Sequence, residues 1–281
     1  MGGDFSTLAE MTYSGMGITV GLTPSGHPFI GYSLTGRSPP SQARELLLGE
    51  NTGIIRTSLV EDDERLKRMF DIRNDWDFAE LKRKLEEGSR ALIEYPAIVP
   101  IGSEALVASN GVQTELVCSV ASNQFSLRPD QMLERAMRSS SWRYDPQHDR
   151  MINITTFEPD PPNNTPRINA IVKGGDAAMQ IVLCEGGEKK SYVFPIRLER
   201  GIGGLLTTYS GGNESPLDPF EGEPFEVAIG SESAREIAES IYEAIHGGQS
   251  KGDNYRVAAA VAMLNSGRLE TAIINRVERG N

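Results

Sequence analysis

Strand-like apolar runs come in adjacent groups separated by short turn signals, and helical patterns are confined to a few blocks. That order constrains the fold strongly, because antiparallel neighbours need only tight turns, whereas parallel strands need crossovers of a dozen or more residues. GITVGLT and PFIGYSLTG flank Thr23-Pro24-Ser25-Gly26, a hairpin turn with Pro and Gly well placed. After a polar loop, SPPSQARELLLGEN, the run TGIIRTSLV reads as a third strand. ALIEYPAIVPI (with Tyr95 in mid-strand beside Pro96), EALVASNG and TELVCSVA continue the series, with turns at Gly102-Ser103 and Asn110-Gly111. RINAIVKG and AAMQIVLCEGG form a further hairpin, followed by SYVFPIRLE and GLLTTYSGG.

The helical blocks are of three kinds. Residues 61–88 mix both charges densely and predict a solvated helical excursion ending at Gly88. PDQMLERAMRSS predicts a short helix. In the tail, Ile237, Ile241 and Ile245 repeat at helical spacing, and the alanine-rich DNYRVAAAVAMLNSG extends the helical reading to Gly267. The expectation is an α+β fold of antiparallel strands in a single domain, 1–281. Residues 61–88 form a charged helical insertion, and 230–281 a C-terminal helical segment.

A formal net charge of −11 over 281 residues argues against nucleic acid or an anionic membrane as partner. No apolar run is long enough to span a bilayer, and MGGDFSTLAEM has no secretory pattern, so a cytoplasmic, soluble protein is expected. Cys118 and Cys184 sit in apolar runs and read as reduced core residues. His27, His148 and His246 have no metal-ligand spacing, so no metal is expected. Gly15-Met16-Gly17 and Gly201-Ile202-Gly203-Gly204 lack the context of a phosphate loop and read as hairpin glycines.

Three polar segments mark strand ends: Gly36-Arg37-Ser38, Ser109-Asn110-Gly111 and Asn164-Thr165-Pro166-Arg167. Small residues there let backbone N–H groups approach a ligand, and Arg clamps phosphate or carboxylate. Together they predict one site for an anionic small molecule. Singly, each residue also has an ordinary reading: Arg37 as a surface arginine, Tyr95 as a core tyrosine, Glu158 as a solvated residue of the proline-rich loop FEPDPPNNTP.

Taken in order, GYSLTGRS, ALIEYPAIVPIGSEALVASNGVQTELV, FEPDPPNNTPRINAIV and LLTTYSG resemble the archaeal-type IMP cyclohydrolase family, over roughly residues 13–56 and 90–210. The resemblance implies a four-layer αββα sandwich of two antiparallel sheets, similar to N-terminal-nucleophile hydrolases. The family uses no such nucleophile, and Met1-Gly2-Gly3 offers no Ser, Thr or Cys for one. It implies closure of the formylated aminoimidazole carboxamide ribonucleotide to IMP, without a cofactor, by a homo-oligomer. Arg37, Tyr95 and Glu158 match catalytic positions, with an adjacent Arg expected to make the Tyr95 phenolate more accessible. Ser38, Arg44, Asn110, Gly111, Thr165 and Arg167 match candidates for holding the substrate's phosphate. Residues 61–88, the loop around 212–225 and much of the tail look like additions. Met16 and Pro96-Ala97 depart from the family's pattern. A non-catalytic nucleotide-binding protein, or an amidohydrolase acting on a related C–N bond, is the alternative.

Overall fold

The computed structural model describes residues 4–246 and 254–277. Met1-Gly2-Gly3 and parts of the expected helical tail therefore lie outside the described residues.

The one-turn helix α1 (Ser6–Glu10) leads into the hairpin β1 (Met16–Leu22) and β2 (Pro28–Thr35). Its turn closes where the sequence places it, with the Thr23 N–H donating to the His27 carbonyl at 3.0 Å. Then come α2 (Pro39–Gln42), β3 (Arg44–Leu48) and β4 (Ile55–Leu59). The charged block forms α3 (Asp63–Met69) and α4 (Asp75–Glu86), followed by α5 (Arg90–Ile93), β5 (Pro96–Ile101) and β6 (Ala105–Ser109). Next are α6 (Thr114–Asn123), α7 (Pro129–Arg138) and the ribbon β7 (Trp142–Asp145) with β8 (Arg150–Asn153). The meander β9 (Arg167–Lys173), β10 (Asp176–Glu185) and β11 (Glu188–Ile196) precedes β12 (Ile202–Thr207) and β13 (Phe225–Ala228). The chain closes with α8 (Ala234–Ala244), β14 (Arg256–Asn265) and β15 (Arg268–Asn275).

The fold is α+β with antiparallel sheets. One sheet runs β13-β12-β1-β2-β14-β15, a second β11-β10-β9-β6-β5-β4-β3, and β7-β8 stand apart. Alternation sorts each strand's side chains between two apolar clusters. Ile18, Val20, Tyr32 and Leu34 of the first sheet share a cluster with Leu106, Ala108, Ile168 and Met179 of the second. On the other side of the first sheet, Phe29, Leu205, Val261 and Met263 pack against Ile237 and Ile241 of α8. On the other side of the second, Val107, Ile171 and Val182 pack against Val117 of α6 and Leu133 of α7. Both sheets are thus covered on both faces, which explains their nearly continuous apolar runs. Where the two sheets' edge strands approach, the Asn275 side chain acts like a strand backbone. Its Oδ1 accepts from the Leu46 N–H (2.8 Å) and its Nδ2 donates to the Leu46 carbonyl (3.0 Å).

The block 61–88 is helical as expected. Asp62 caps α3 and Asn74 caps α4, with acidic residues in both first turns and basic ones in both last turns. It is more than a solvated face, however. Leu66, Met69 and Leu81 form an apolar cluster with Ala43, Leu59 and Ile93, and a buried Arg65–Glu45 pair at 2.8 Å fastens α3 to β3. Among the described residues, no helix is long and apolar enough to cross a membrane.

Five local expectations are corrected. Among the described residues the tail is helical only in α8; DNYRVAAAVAMLNSG is largely strand β14, an interior strand of the first sheet. TELVCSVA is the helix α6, burying Val117 and Ala121 four residues apart. The supposed polar loop SPPSQARELLLGEN contains α2 and strand β3. Tyr95 lies between α5 and β5 rather than in mid-strand, and Asn110-Gly111 bends from β6 into α6 rather than into a hairpin. The two glycine clusters fall mainly within neighbouring strands β1 and β12, where Gly21 pairs with Gly203. Cys118 and Cys184 are free thiols, each only partly buried.

Strand β14 carries small side chains because both its faces are covered. Ala258, Ala260 and Ala262 face the space between the sheets, and Ala259, Val261 and Met263 face α8. Ala260→Leu is therefore expected to destabilise the protein by about 1–3 kcal/mol through overpacking, read as a lower urea midpoint. A solvent-exposed helix at this position would tolerate the change.

Candidate functional site

Three elements bring the arginine-bearing wall together. Gly36 follows β2 at a point where the backbone of α2 passes closely; a Cβ there would lie 2.5 Å from the Ser41 carbonyl carbon. Ser38 then caps α2, its hydroxyl accepting from the Ser41 N–H while its own N–H donates to Ser41 Oγ. Arg37 projects from this tight corner, half-buried. Its Nη1 donates to the Asn213 carbonyl (3.3 Å), Asn213 Oδ1 (3.2 Å) and the Glu214 carbonyl (3.1 Å). The guanidinium also lies over the Tyr13 ring, 5.2 Å from its centroid. Arg44 opens β3 and braces the corner, donating to the Ser41 carbonyl (3.0 Å) and the Thr35 carbonyl (3.1 Å).

The opposite wall is built around a buried charge. Asn110 ties the end of β6 to the start of β9: its Nδ2 donates to the Pro166 carbonyl (2.8 Å) and its Oδ1 accepts from the Ile168 N–H (2.8 Å). Arg167, the first residue of β9, has no exposed surface. It donates from Nε to the Thr156 carbonyl (2.7 Å) and from Nη1 to Gln113 Oε1 (2.8 Å) and Glu158 Oε1 (3.3 Å). Gly111 makes room for this pair; a Cβ there would lie 2.5 Å from Arg167 Nη1.

Glu158 is buried at the inner end of the proline-rich loop, its N–H donating to the Thr165 carbonyl (2.9 Å). Burial pushes its carboxyl up to about 7, with the Arg167 charge pulling it down and Asp160 pushing it up. Asp160, two residues on, is also raised by burial, against the pull of its bonds from Thr165. Thr165 donates to it from both backbone N–H (2.7 Å) and hydroxyl, and the same hydroxyl oxygen lies 2.6 Å from that of Tyr209.

Tyr95 is buried, with its hydroxyl 3.0 Å from the Tyr32 hydroxyl. Burial raises its phenol above the ordinary value, and the opposing Arg44 charge does not overcome this. The expectation of an accessible phenolate is corrected: Tyr95 holds its proton.

These walls enclose a cleft of about 470 Å³. Of the nine residues singled out by sequence, Arg37, Ser38, Arg44, Glu158 and Thr165 line it. Tyr95, Asn110, Gly111 and Arg167 do not; the last three pin the wall from behind, and Tyr95 senses the charges of Arg44, Glu158 and Arg167. Sequence reasoning missed Asp160, Tyr13 and Tyr209, which also line the cleft. Asp160 had a signal, since it shares the loop of Glu158; Tyr209 lies in a segment quoted for the resemblance and Tyr13 at the start of its range, and neither was assigned a role. A larger cavity, about 720 Å³, lies beside α4, but contains none of the nine. Its Arg90 and Glu61 face each other at 3.7 Å, so the smaller cleft is the candidate site.

A family model described as IMP cyclohydrolase-like protein matches residues 78–268, more than half of the chain. No curated protein matches it. The matched stretch holds Tyr95, Asn110, Gly111, Glu158, Thr165 and Arg167, while Arg37, Ser38 and Arg44 precede it. Its range also runs across the loop around 212–225 and the whole of β14.

Gly111→Ala is expected to cost about 1–3 kcal/mol of stability, as for other overpacked sites. The new methyl must displace Arg167 or Gln113, and urea unfolding measures the loss.

Proposed function

The chain belongs to the IMP cyclohydrolase-like family, and on that premise we propose that it closes the formylated aminoimidazole carboxamide ribonucleotide to IMP with loss of water. The observation that carries this reading is Glu158, a buried carboxyl held near neutrality at the wall of a cleft that also receives two arginines. The substrate is an anion with a weak nucleophile, and these groups suit both features. An acidic chain that gathers Arg37 and Arg44 in one cleft fits a small anionic ligand better than a nucleic acid.

The chemistry needs few groups. The carboxamide nitrogen attacks the formyl carbon, a C–N bond forms, a proton leaves nitrogen and the formyl oxygen becomes a hydroxyl. That hydroxyl then departs as water as the C=N bond forms. Because both partners sit on one molecule, holding them in near-attack geometry supplies much of the acceleration. A carboxyl poised near neutrality can take the proton from nitrogen and return one to the leaving hydroxyl. Arg37 meets the negative charge that develops on the formyl oxygen, as a fixed donor. Tyr95, buried behind the cleft and paired with Tyr32, stays neutral and is given no contact with the substrate, and Ser38 and Arg44 take the phosphate.

Helices cover the outer faces of two antiparallel sheets that share a core. This supports reading the fold as the αββα sandwich similar to N-terminal-nucleophile hydrolases, with no step assigned to the N-terminus.

A spectrophotometric assay of IMP formation tests the proposal. Glu158→Gln is expected to lower kcat by about 10²–10⁴-fold, the usual contribution of a general base. Because Glu158 must be ionised to accept the proton, wild-type kcat/KM is expected to fall about tenfold per pH unit on the acid side of about 7. Binding of IMP without turnover moves the protein to the nucleotide-binding alternative.

A further inference from the structure

The cleft brings two arginines together with a group of oxygen acceptors. Arg37 and Arg44 can only donate. Glu158, Asp160, Thr165 and Tyr209 line the same cleft. The proposed reaction gives Asp160 no task, yet its carboxylate is rigidly held. The Thr165 N–H donates to Oδ1 at 2.7 Å and the Thr165 hydroxyl donates to Oδ2. With Asp160 ionised, both of its oxygens accept from Thr165.

The consequence runs outward from Asp160. The single hydroxyl proton of Thr165 is committed to the carboxylate, so its 2.6 Å bond with Tyr209 is donated by Tyr209. Neither hydroxyl then has a proton for a ligand; both offer lone pairs only. The Tyr209 ring is fixed by stacking on Tyr13, with centroids 5.8 Å apart, and the loop is closed by the Glu158 N–H bond to Thr165. The strip cannot easily reverse its polarity.

We propose that Asp160, Thr165 and Tyr209 form a specificity-determining acceptor strip that takes the vicinal hydroxyls of a ribose, so that the cleft selects a ribonucleotide over its deoxy counterpart. This rests on the reading of the cleft as a purine-precursor nucleotide site. Phosphate is repelled by an ionised carboxylate and belongs to the arginine wall. The carboxamide donors are taken by the more deeply buried Glu158. The sugar hydroxyls are the remaining donors of such a ligand, and Asp160 is the remaining acceptor, half-buried at the outer part of the same loop. Thr165 accordingly moves from the phosphate role suggested by sequence to the sugar.

Calorimetric titration of the full chain with IMP and 2′-deoxy-IMP tests the assignment. Wild type is expected to bind IMP on the order of 10- to 100-fold more tightly, the value of a hydrogen bond to a charged group. In Asp160→Asn that preference is expected to collapse to about threefold or less, through weaker IMP binding with 2′-deoxy-IMP little changed. Tyr209→Phe is a second variant, expected to reduce the preference part-way, and it serves if Asp160→Asn does not fold. Equal affinities in wild type overturn the proposal, as does a preference that survives intact in the folded variants. Wild type that binds neither nucleotide overturns the nucleotide reading itself along with this one.

Discussion

Arg167 carries a full positive charge with no contact to solvent, and the interior must answer it. A guanidinium in that position costs several kcal/mol unless it is paired and hydrogen-bonded. Glu158 and the Thr156 carbonyl, from the loop before β9, and the Gln113 side chain, from the bend after β6, supply the partners. Pairing this charge through Nε and Nη1, with Nη2 left unpartnered, therefore fixes the bend after β6, the start of β9 and the proline-rich loop relative to one another. Gly111 is the steric condition for this, since no side chain fits where Arg167 and Gln113 meet.

The same pairing produces the reactivity of the site. Arg167 alone would hold Glu158 ionised, but burial outweighs it and Asp160 adds to the push. The result is a carboxyl poised to exchange a proton near neutral pH rather than a permanently charged structural group. Arg37 is positioned differently, by the carbonyls at Asn213 and Glu214 and by the face of Tyr13. The cleft thus joins a wall organised by a buried ion pair to one organised around a strand-end corner.

Much of this was legible in the sequence. The β1–β2 and β9–β10 hairpins follow from turn residues and apolar runs, and the charged block shows its helices through composition and caps. Arg37, Ser38 and Thr165 stand out at strand ends, Arg44 and Glu158 only through the family resemblance, and all five meet in one cleft. What was not legible depends on tertiary cover. DNYRVAAAVAMLN has the intrinsic bias of a helix, and a short run apolar on both faces has no period that separates strand from helix. Only packing between α8 and the second sheet selects the strand. Arg167 looked like an anion clamp because sequence shows residue type and not depth. The acceptor strip escaped notice because the direction of a hydroxyl proton is set by neighbours far along the chain, as Tyr209 is to Thr165.

The central claim is that burial holds the Glu158 proton near neutrality beside Arg167, in a site that binds a nucleotide. Isotope-edited NMR of the Glu158 side-chain carboxyl, titrated from acid to alkaline pH with and without IMP, measures this directly. The account predicts a midpoint at about 7 that moves when IMP is added. A midpoint at the ordinary glutamate value of about 4.3, indifferent to IMP, would contradict it.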